Sequence, residues 1–214
     1  MKDSQDAVTE GRTNWRRFAV AVGVPTVVAG GLVVALAQGA LAASFSISGQ
    51  SFHLTASSLD GTGFTQYSGS DLVTSTNSRM PVAKSGIKSA TIHDLCQSVV
   101  GNIPGTSIPI SLRIEAGKTA DNKAVQADNL LIGMSDLSGD ATFTNINIGQ
   151  DASTLDQAGS GVPAGDVGGF GQGADKVHID NLRQTATSTS ASTFVLQGMN
   201  LHLYVGQNKD CFNG

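Results

Sequence analysis

Side chains that could act in nucleophilic catalysis are present, but their spacing forms no complete catalytic motif. An α/β-hydrolase requires G-x-S-x-G at a strand-to-helix turn, and the nearest match, Gly133 to Leu137, lacks the second glycine. Ser135, His178 and Asp180 have the residue types of a hydrolase triad, yet no spacing selects them as a unit. The sequence therefore assigns no catalytic residue. This interpretation leans away from an enzyme and leaves the question open.

Metal ligands are sparse as well. The stretch from Gly168 to Asp175 is similar to a calcium-binding glycine repeat, but Gly173 stands where that repeat needs an aspartate. Asp166 and Asp175 remain as oxygen ligands, which are too few for a hard cation. We therefore expect no metal and no cofactor. The four histidines alternate with apolar residues and are expected on solvated strand faces: His53, His93, His178 and His202.

The charge pattern argues against a protein that binds nucleic acid. Charged residues make up 14% of the 214 residues, and the formal net charge is −4. Lys and Arg do not cluster outside residues 12–17. Binding to a phosphate backbone depends on a basic patch, so this composition favours other partners.

A basic flank followed by an apolar run indicates a membrane-targeting segment at the N-terminus. Arg16 and Arg17 end a polar stretch, and Phe18 to Ala37 contain no charge. Ala40 and Ala42 fit the −3 and −1 positions of a signal peptide that is cleaved before Ala43.

An uncleaved membrane anchor is equally consistent with the length of this run. Twenty residues span roughly 30 Å as a helix, enough for the hydrocarbon core, so residues 18–37 could contact the membrane permanently. Both alternatives predict the same organisation: residues 1–17 as a cytoplasmic basic region, residues 18–43 as the apolar signal or anchor helix, and residues 44–214 as an extracytoplasmic domain.

The two cysteines of the chain, Cys96 and Cys211, both lie in the exported part. Two cysteines in an oxidising compartment most simply pair with each other. Chain-entropy arithmetic for a loop of about 115 residues gives a stabilisation of about 4–5 kcal/mol. We therefore expect a disulfide bond that ties the C-terminal tail to the rest of the domain.

Period-two alternation of Val, Ile, Thr and Phe predicts an all-β domain, an antiparallel sandwich or a rolled sheet. Only Asp94 to Val100 is typical of a short helix, with Asp94 as its cap. Residues 151–174 contain seven glycines and no apolar periodicity, which predicts a long loop that is either functional or mobile, with residues 159–173 as a mobile surface loop. The alternating segments are residues 44–48, 52–54, 108–114, 141–148, 177–179 and 201–205.

A loose repeat places Asp or Asn directly before Leu. Such a side chain can bond to its own backbone, so the repeat predicts similar strand ends. Its irregular spacing does not support a solenoid. The copies are Asp94-Leu95, Asn129-Leu130, Asp136-Leu137, Asn181-Leu182 and Asn200-Leu201.

Several segments give the chain a resemblance to a family over nearly its whole length. They are residues 15–17 leading into 40–45, then 60–64, 95–98, 148–152, 168–172 and 211–212. The chain resembles an uncharacterised actinobacterial domain-of-unknown-function family of exported or membrane-anchored proteins, some of which are labelled cholesterol esterase. Relatives are often encoded beside a small integral membrane protein. The resemblance implies an envelope location and supplies no catalytic residues.

Two functions are consistent with these observations. The first is a non-catalytic extracytoplasmic envelope protein, a β-rich binding or assembly module whose partner is a small integral membrane protein or another copy of itself. The alternative is a lipid-binding carrier or a lipid esterase. It draws on the low charge, a mean hydropathy of +0.01, and the ability of a rolled sheet to hold an acyl chain between its faces.

Overall fold

A computed structural model describes residues 46–103 and 105–213, and this part of the chain is all-β, as predicted. All strand pairs are antiparallel except the two-residue pairing of β1 with β2. Short 3₁₀ helices lie at Thr119–Asp121, Ala152–Thr154 and Cys211–Asn213. The strands are β1 Ser46–Ile47, β2 Phe52–Val73, β3 Ser78–His93, β4 Leu95–Asn102, β5 Pro109–Ala116, β6 Val125–Thr144, β7 Asn147–Asp151, β8 Phe170–Ser190, β9 Thr193–Leu196 and β10 Asn200–Val205.

The four longest strands pair in a closed cycle. β2 pairs with β3 through residues 58–73, and β3 pairs with β6 through residues 83–92. β6 then pairs with β8 through residues 131–144, and β8 returns to β2 along residues 52–67. The sheet is therefore rolled. Along the closed part each strand has a neighbour on both sides, which removes exposed edges.

Two copies of the Asn-Leu repeat mark bends inside these long strands and not their ends. Asn129 in β6 and Asn181 in β8 have φ values of 50° and 53°, in the left-handed region that asparagine tolerates. Neither residue takes part in a register pair with the neighbouring strands, although the pairs on both sides continue. Leu130 and Leu182, which follow them, are almost fully buried. The repeat therefore identifies places where a strand bends and returns an apolar side chain to the core.

Side chains fill the space enclosed by the rolled sheet. One continuous cluster contains nineteen buried apolar residues contributed by β2, β3, β4, β6, β8 and the end of β5. These residues occupy the interior, as expected where inward-facing residues alternate along every strand. Its largest members with almost no exposure are Leu95, Leu130, Met134, Leu182, Val125 and Val177.

The prediction of a helix from Asp94 to Val100 is wrong, because this segment forms β4. Asp94 has a φ of 50°, and its carboxylate accepts hydrogen bonds from Ser57 and from the backbone of Thr119. These bonds hold a turn between β3 and β4 and do not cap a helix. The following residues pair with β5 along their full length, so sheet pairing outweighs the weak local helix signal.

Beyond the closed part, three strands extend the sheet. β4 joins β2 at residues 53–55, β5 pairs with β4, and β10 pairs with β5. Within the described residues β10 pairs with no other strand, so it forms the edge of this extension.

The glycine-rich segment 151–174 differs from the mobile loop that the sequence predicts. Its last residues, from Phe170, belong to β8. Leu155 and Val162 are buried against Tyr67 and Leu131. Ala152 and Ala158 are buried as well, whereas Val167 and Phe170 are exposed, so part of the segment packs on the domain, which local composition did not indicate.

The membrane-targeting prediction for residues 1–43, including cleavage at Ala40, Ala42 and Ala43, lies outside the described residues. In the part of the chain that the structure covers, no helix is long and apolar enough to cross a membrane.

Candidate functional site

The three-stranded extension presents an exposed apolar surface, which we call the apolar face. Along β10, Leu203 is 59% exposed, and its neighbours two residues away on each side are more than half exposed. In register with it, Leu112 of β5 pairs with Val99 of β4, and both are only partly covered. The apolar face consists of Val99, Ile110, Leu112, Ile114, Leu201, Leu203 and Val205.

The size of the apolar face indicates a contact surface. Three strands spaced about 4.8 Å apart and six residues long cover roughly 14 by 20 Å. Apolar patches of this extent on a soluble domain commonly mark interaction sites. No charged side chain belongs to the face, because Arg113 and Glu115 point to the opposite side of β5 and pair there at 2.7 Å.

The opposite side of the extension is covered by the C-terminal tail. The predicted disulfide bond between Cys96 and Cys211 is present and closes a sequence separation of 115 residues. The Ser111 hydroxyl donates to the carbonyl of Gln207 and accepts from the backbone N–H of Lys209. Among the described residues, the tail therefore holds β4 and β5 on the side opposite the apolar face.

Asp210 anchors this tail. Its carboxylate accepts a hydrogen bond from Ser98 at 3.1 Å and from the backbone N–H of Phe212 at 3.0 Å, and it contacts His53 Nδ1 at 2.6 Å. Burial by itself would raise the pKa of Asp210, but these three bonds and the charge of His53 lower it overall. The His53 ring stacks on Phe212 with 4.0 Å between centroids. His53 is thus a structural partner of the tail and not a solvated residue.

A second candidate is a polar groove of about 310 Å³ on the outer surface of the rolled sheet. His178 lies in it between two carboxylates, with Nδ1 2.7 Å from Asp60 and Nε2 3.0 Å from Asp180. Ionised carboxylates only accept hydrogen bonds, so this geometry requires a proton on both ring nitrogens. The hydrogen bonds that His178 donates, first to Asp60 and then to Asp180, raise the pKa of His178.

The raised pKa gives a testable pH dependence. In a two-dimensional NMR titration of the full chain, we expect His178 to titrate above the ordinary value of 6.5. Asp180→Asn removes one of the two negative charges beside the ring and should lower the midpoint towards that value, whereas Asp136→Asn, on an exposed part of β6, should leave it unchanged. Since the folded pKa is raised, the stabilisation is present at low pH and disappears as pH rises through the folded pKa. If the titration midpoint of His178 is the same in Asp180→Asn as in the native chain, the contact between His178 and Asp180 is contradicted.

The structure does not assemble Ser135 with His178 and Asp180. Thr142 is the residue of β6 that pairs with His178, and Ser135 lies seven positions earlier on the same strand, roughly 23 Å away along it. The Ser135 hydroxyl contacts only the carbonyl of Thr185, at 3.5 Å. Because both nitrogens of His178 face carboxylates, neither is available as a base for a serine. His178 and Asp180 therefore form a pair, and Ser135 is a separate surface hydroxyl.

An open apolar groove of about 480 Å³ lies next to Ser135. Exposed Phe170 lines it together with Pro81, Val82 and Met134. Its chemistry suits a hydrocarbon or an aromatic group, and it lies on the surface, outside the packed interior.

A buried ion pair close to this groove was not predicted from the sequence. Lys84 donates to Asp71, which is 1% exposed, and Thr187 and Ser188 each donate to the other carboxylate oxygen at 2.8 Å. The ladder shifts register beside Gly133, which leaves Thr187 as an extra residue and directs two successive hydroxyls at one carboxylate.

The absence of a side chain at Gly133 leaves room for the polar cluster of Asp71, Lys84, Thr187 and Ser188. A Cβ atom at this position would lie 2.6 Å from Asp71 Oδ2 and 2.5 Å from the Ser188 hydroxyl. Burial would raise the pKa of Asp71, but the bonds from Lys84, Thr187 and Ser188 lower it overall. All four side chains satisfy one another, as expected of a structural cluster.

The metal candidates are not brought together. Asp175 accepts a hydrogen bond from Asn145 at 2.7 Å, and the backbone of Asp166 accepts from Gly169. In the residues that the structure covers, no three His, Cys, Asp or Glu side chains are grouped so that they could hold a metal ion.

Comparison with known proteins gives a family but no activity. No curated protein and no solved structure matches the chain significantly. One family, described as DUF6230, a family of unknown function, matches residues 48–212, which include all the strands except β1. Over this range, which is most of its length, the chain belongs to the DUF6230 family.

Proposed function

We propose that this protein is a non-catalytic binding or assembly module of the cell envelope, and that it acts through the apolar face. The observation that carries the proposal is the exposure of three alternating apolar side chains, Leu201, Leu203 and Val205, on a strand that, among the described strands, is bonded on one side. The C-terminal tail and its disulfide bond hold the back of β4 and β5, which makes that part of the face rigid. Rigid surfaces lose little entropy on binding.

The envelope location rests on the sequence. An Arg-flanked apolar run precedes the domain, and two cysteines are paired in the domain that follows. Disulfide bonds persist in oxidising compartments outside the cytoplasm. The membrane-anchored and the secreted forms both place the apolar face outside the cell, where an envelope partner such as a small integral membrane protein is accessible.

A lipid carrier is the second candidate, and the open apolar groove favours it. The groove around Phe170 could hold part of an acyl chain. The interior of the rolled sheet, in contrast, is occupied by the side chains of the core cluster, so an enclosed carrier would have to displace them. An esterase receives less support, because Ser135 and His178 are far apart. The cholesterol esterase label of the resembling family therefore stays a weaker alternative.

Substitution of Leu112 tests the proposal. Leu112→Asn places a polar amide in the centre of the apolar face, where a docked partner would bury it at a cost of roughly 1–3 kcal/mol. After chemical cross-linking of intact envelopes, the native chain is expected to migrate as a complex, and Leu112→Asn as the free chain. Leu137→Asn is the matched control, since Leu137 is exposed on β6, outside the face.

Mass spectrometry of the extracted full chain separates the alternatives. Stoichiometric co-purifying lipid that Phe170→Asn removes would support the carrier and oppose the proposal. Ester turnover abolished by Ser135→Ala would support the esterase. A complex that survives Leu112→Asn would show that the apolar face is not the contact surface.

A further inference from the structure

Within the part of the chain that the structure describes, β10 has a free edge that no charge, proline or bulge protects. Its six residues, Asn200–Val205, include no lysine, no proline and no other charge. The ladder between β10 and β5 is regular, with six consecutive pairs and no bulge. Natural sheets block such edges with charges, prolines or bulges because an open edge is a template for another strand. An unprotected edge beside an apolar face therefore indicates an edge that is used.

A lipid surface does not suit this edge. Within hydrocarbon, each unpaired N–H and C=O of β10 would lose its hydrogen bond to water, which is why open sheet edges do not occur there. Residues 44–214 also hold nine Lys and Arg against fourteen Asp and Glu, and this net negative charge opposes binding to anionic headgroups. An added β-strand satisfies the backbone groups directly.

A second copy of the chain fits the edge. In an antiparallel pair related by a two-fold axis, opposed residues must lie on the same side of the sheet, so their numbers differ by an even amount. Centring the axis on Leu203 pairs residues 201–205 with one another and sets Leu201 opposite Val205 of the second copy. His202 then faces Tyr204 of the second copy on the other side. Every pair within residues 201–205 is apolar or aromatic, and no like charges meet.

The charge near the edge supports the same partner. The only ionised groups on the neighbouring strand β5 are Arg113 and Glu115, which neutralise each other through a 2.7 Å contact. Two identical edges can therefore approach without local repulsion, despite the net charge of the whole domain.

We propose that this protein self-associates by antiparallel pairing of β10 with β10 of a second copy, centred on Leu203, which joins the two extensions into one six-stranded sheet. The inference rests on the proposed function, because it names another copy as a partner of the same surface. An edge of six residues buries less surface than a standard interface, which covers about 800 Å² on each partner. The dimer is therefore weak and depends on concentration, and a shared membrane would favour it.

Cysteine cross-linking of the full chain in its membrane tests the register. Directly opposed residues of an antiparallel pair have Cα atoms about 4.5–5.5 Å apart, within the range of a disulfide bond. Leu203→Cys is therefore expected to give a covalent dimer under mild oxidation. Leu201→Cys alone should not, because its two copies would lie roughly 13 Å apart along the strands, but it should link to Val205→Cys when the two variants are co-expressed.

Leu112→Cys, on the same face but one strand inside the edge, is the matched control and should give no covalent dimer. Correct folding is checked by mapping the native Cys96–Cys211 bond, which leaves the introduced cysteine as the only free thiol. A folded Leu203→Cys variant that gives no covalent dimer would overturn the inference. Equally strong linking of Leu112→Cys would also overturn it, because it would indicate stacking of two apolar faces. If Leu203→Cys fails to link while Leu112→Asn still dissolves the envelope complex, the apolar face binds a different chain and the proposed function stands.

Discussion

Asp71→Ala is expected to destabilise the folded domain by about 3–5 kcal/mol, because it leaves the buried ammonium of Lys84 without its counter-charge. Asp71 is 1% exposed and accepts hydrogen bonds from Lys84, Thr187 and Ser188, so the substitution also leaves the buried Ser188 hydroxyl without its acceptor, while Thr187 keeps the carbonyl of Gly133 at 3.2 Å. Thermal unfolding of the full chain, followed by circular dichroism, should show a Tm lowered by roughly 6–20 °C.

Asp136→Ala is the matched control, since Asp136 lies on an exposed part of β6, and it should change stability by less than about 0.5 kcal/mol. If Asp71→Ala proves as mild as this control, the ion pair is not buried in solution.

The stabilisation by Asp71 should also depend on pH. The pKa of Asp71 is lowered below its ordinary value of 3.8 in the folded state. A group of this kind stabilises the fold fully above its unfolded pKa, and the contribution is lost as pH falls through the folded pKa. The difference in Tm between the native chain and Asp71→Ala is therefore expected to be large at pH 7 and to shrink in acid. A difference that grows as the pH falls would contradict the assigned direction.

Reduction of the Cys96–Cys211 bond is expected to cost about 2–5 kcal/mol, with the loop-closure relation placing a loop of this length near the upper end. The loss should begin locally, because the tail is held by the disulfide bond together with the contacts of Asp210 and Ser111. After reduction, hydrogen exchange should accelerate first at the backbone N–H groups of Lys209 and Cys211.

A Cys96→Ser, Cys211→Ser double variant provides the control for reduction. Its Tm should lie close to that of the reduced native chain and should not respond to the reductant. The outcome that contradicts the structural role is a native chain whose Tm and tail protection are unaffected by complete reduction, as verified by alkylation of both cysteines.

The strands show most clearly which features local sequence patterns can predict. Alternation at residues 52–54, 177–179 and 201–205 predicted β2, β8 and β10, because the period of two is a property of the local backbone and needs no knowledge of the partner strand. The segment after Asp94 shows the limit of this reasoning. A capping residue before a short apolar run is typical of a helix, but pairing with β5 makes it a strand.

The Asp-Leu and Asn-Leu repeat was a correct signal with an incomplete interpretation. A polar residue that tolerates positive φ can end a strand or bend it, and both outcomes look alike locally. Asn129 and Asn181 bend their strands because the neighbouring strands continue on both sides and the following leucines enter a common core. Closure of the sheet therefore decided between the two interpretations.

By itself, the sequence determined that the domain following the apolar N-terminal run is all-β and that its two cysteines form a disulfide bond. Both follow from local properties of the sequence, the alternation of apolar residues and the number of cysteines. Only the tertiary structure decided which charges and which apolar faces are covered. Asp71 and Lys84 belong to different strands and pair with each other, and two hydroxyls of β8 donate to Asp71 because a register shift beside Gly133 directs them there. Alternation showed that β10 has an apolar side, but whether another layer covers that side depends on residues far away in the chain. The tail lies against the opposite side of the extension, whereas Leu201, Leu203 and Val205 on the apolar face are exposed.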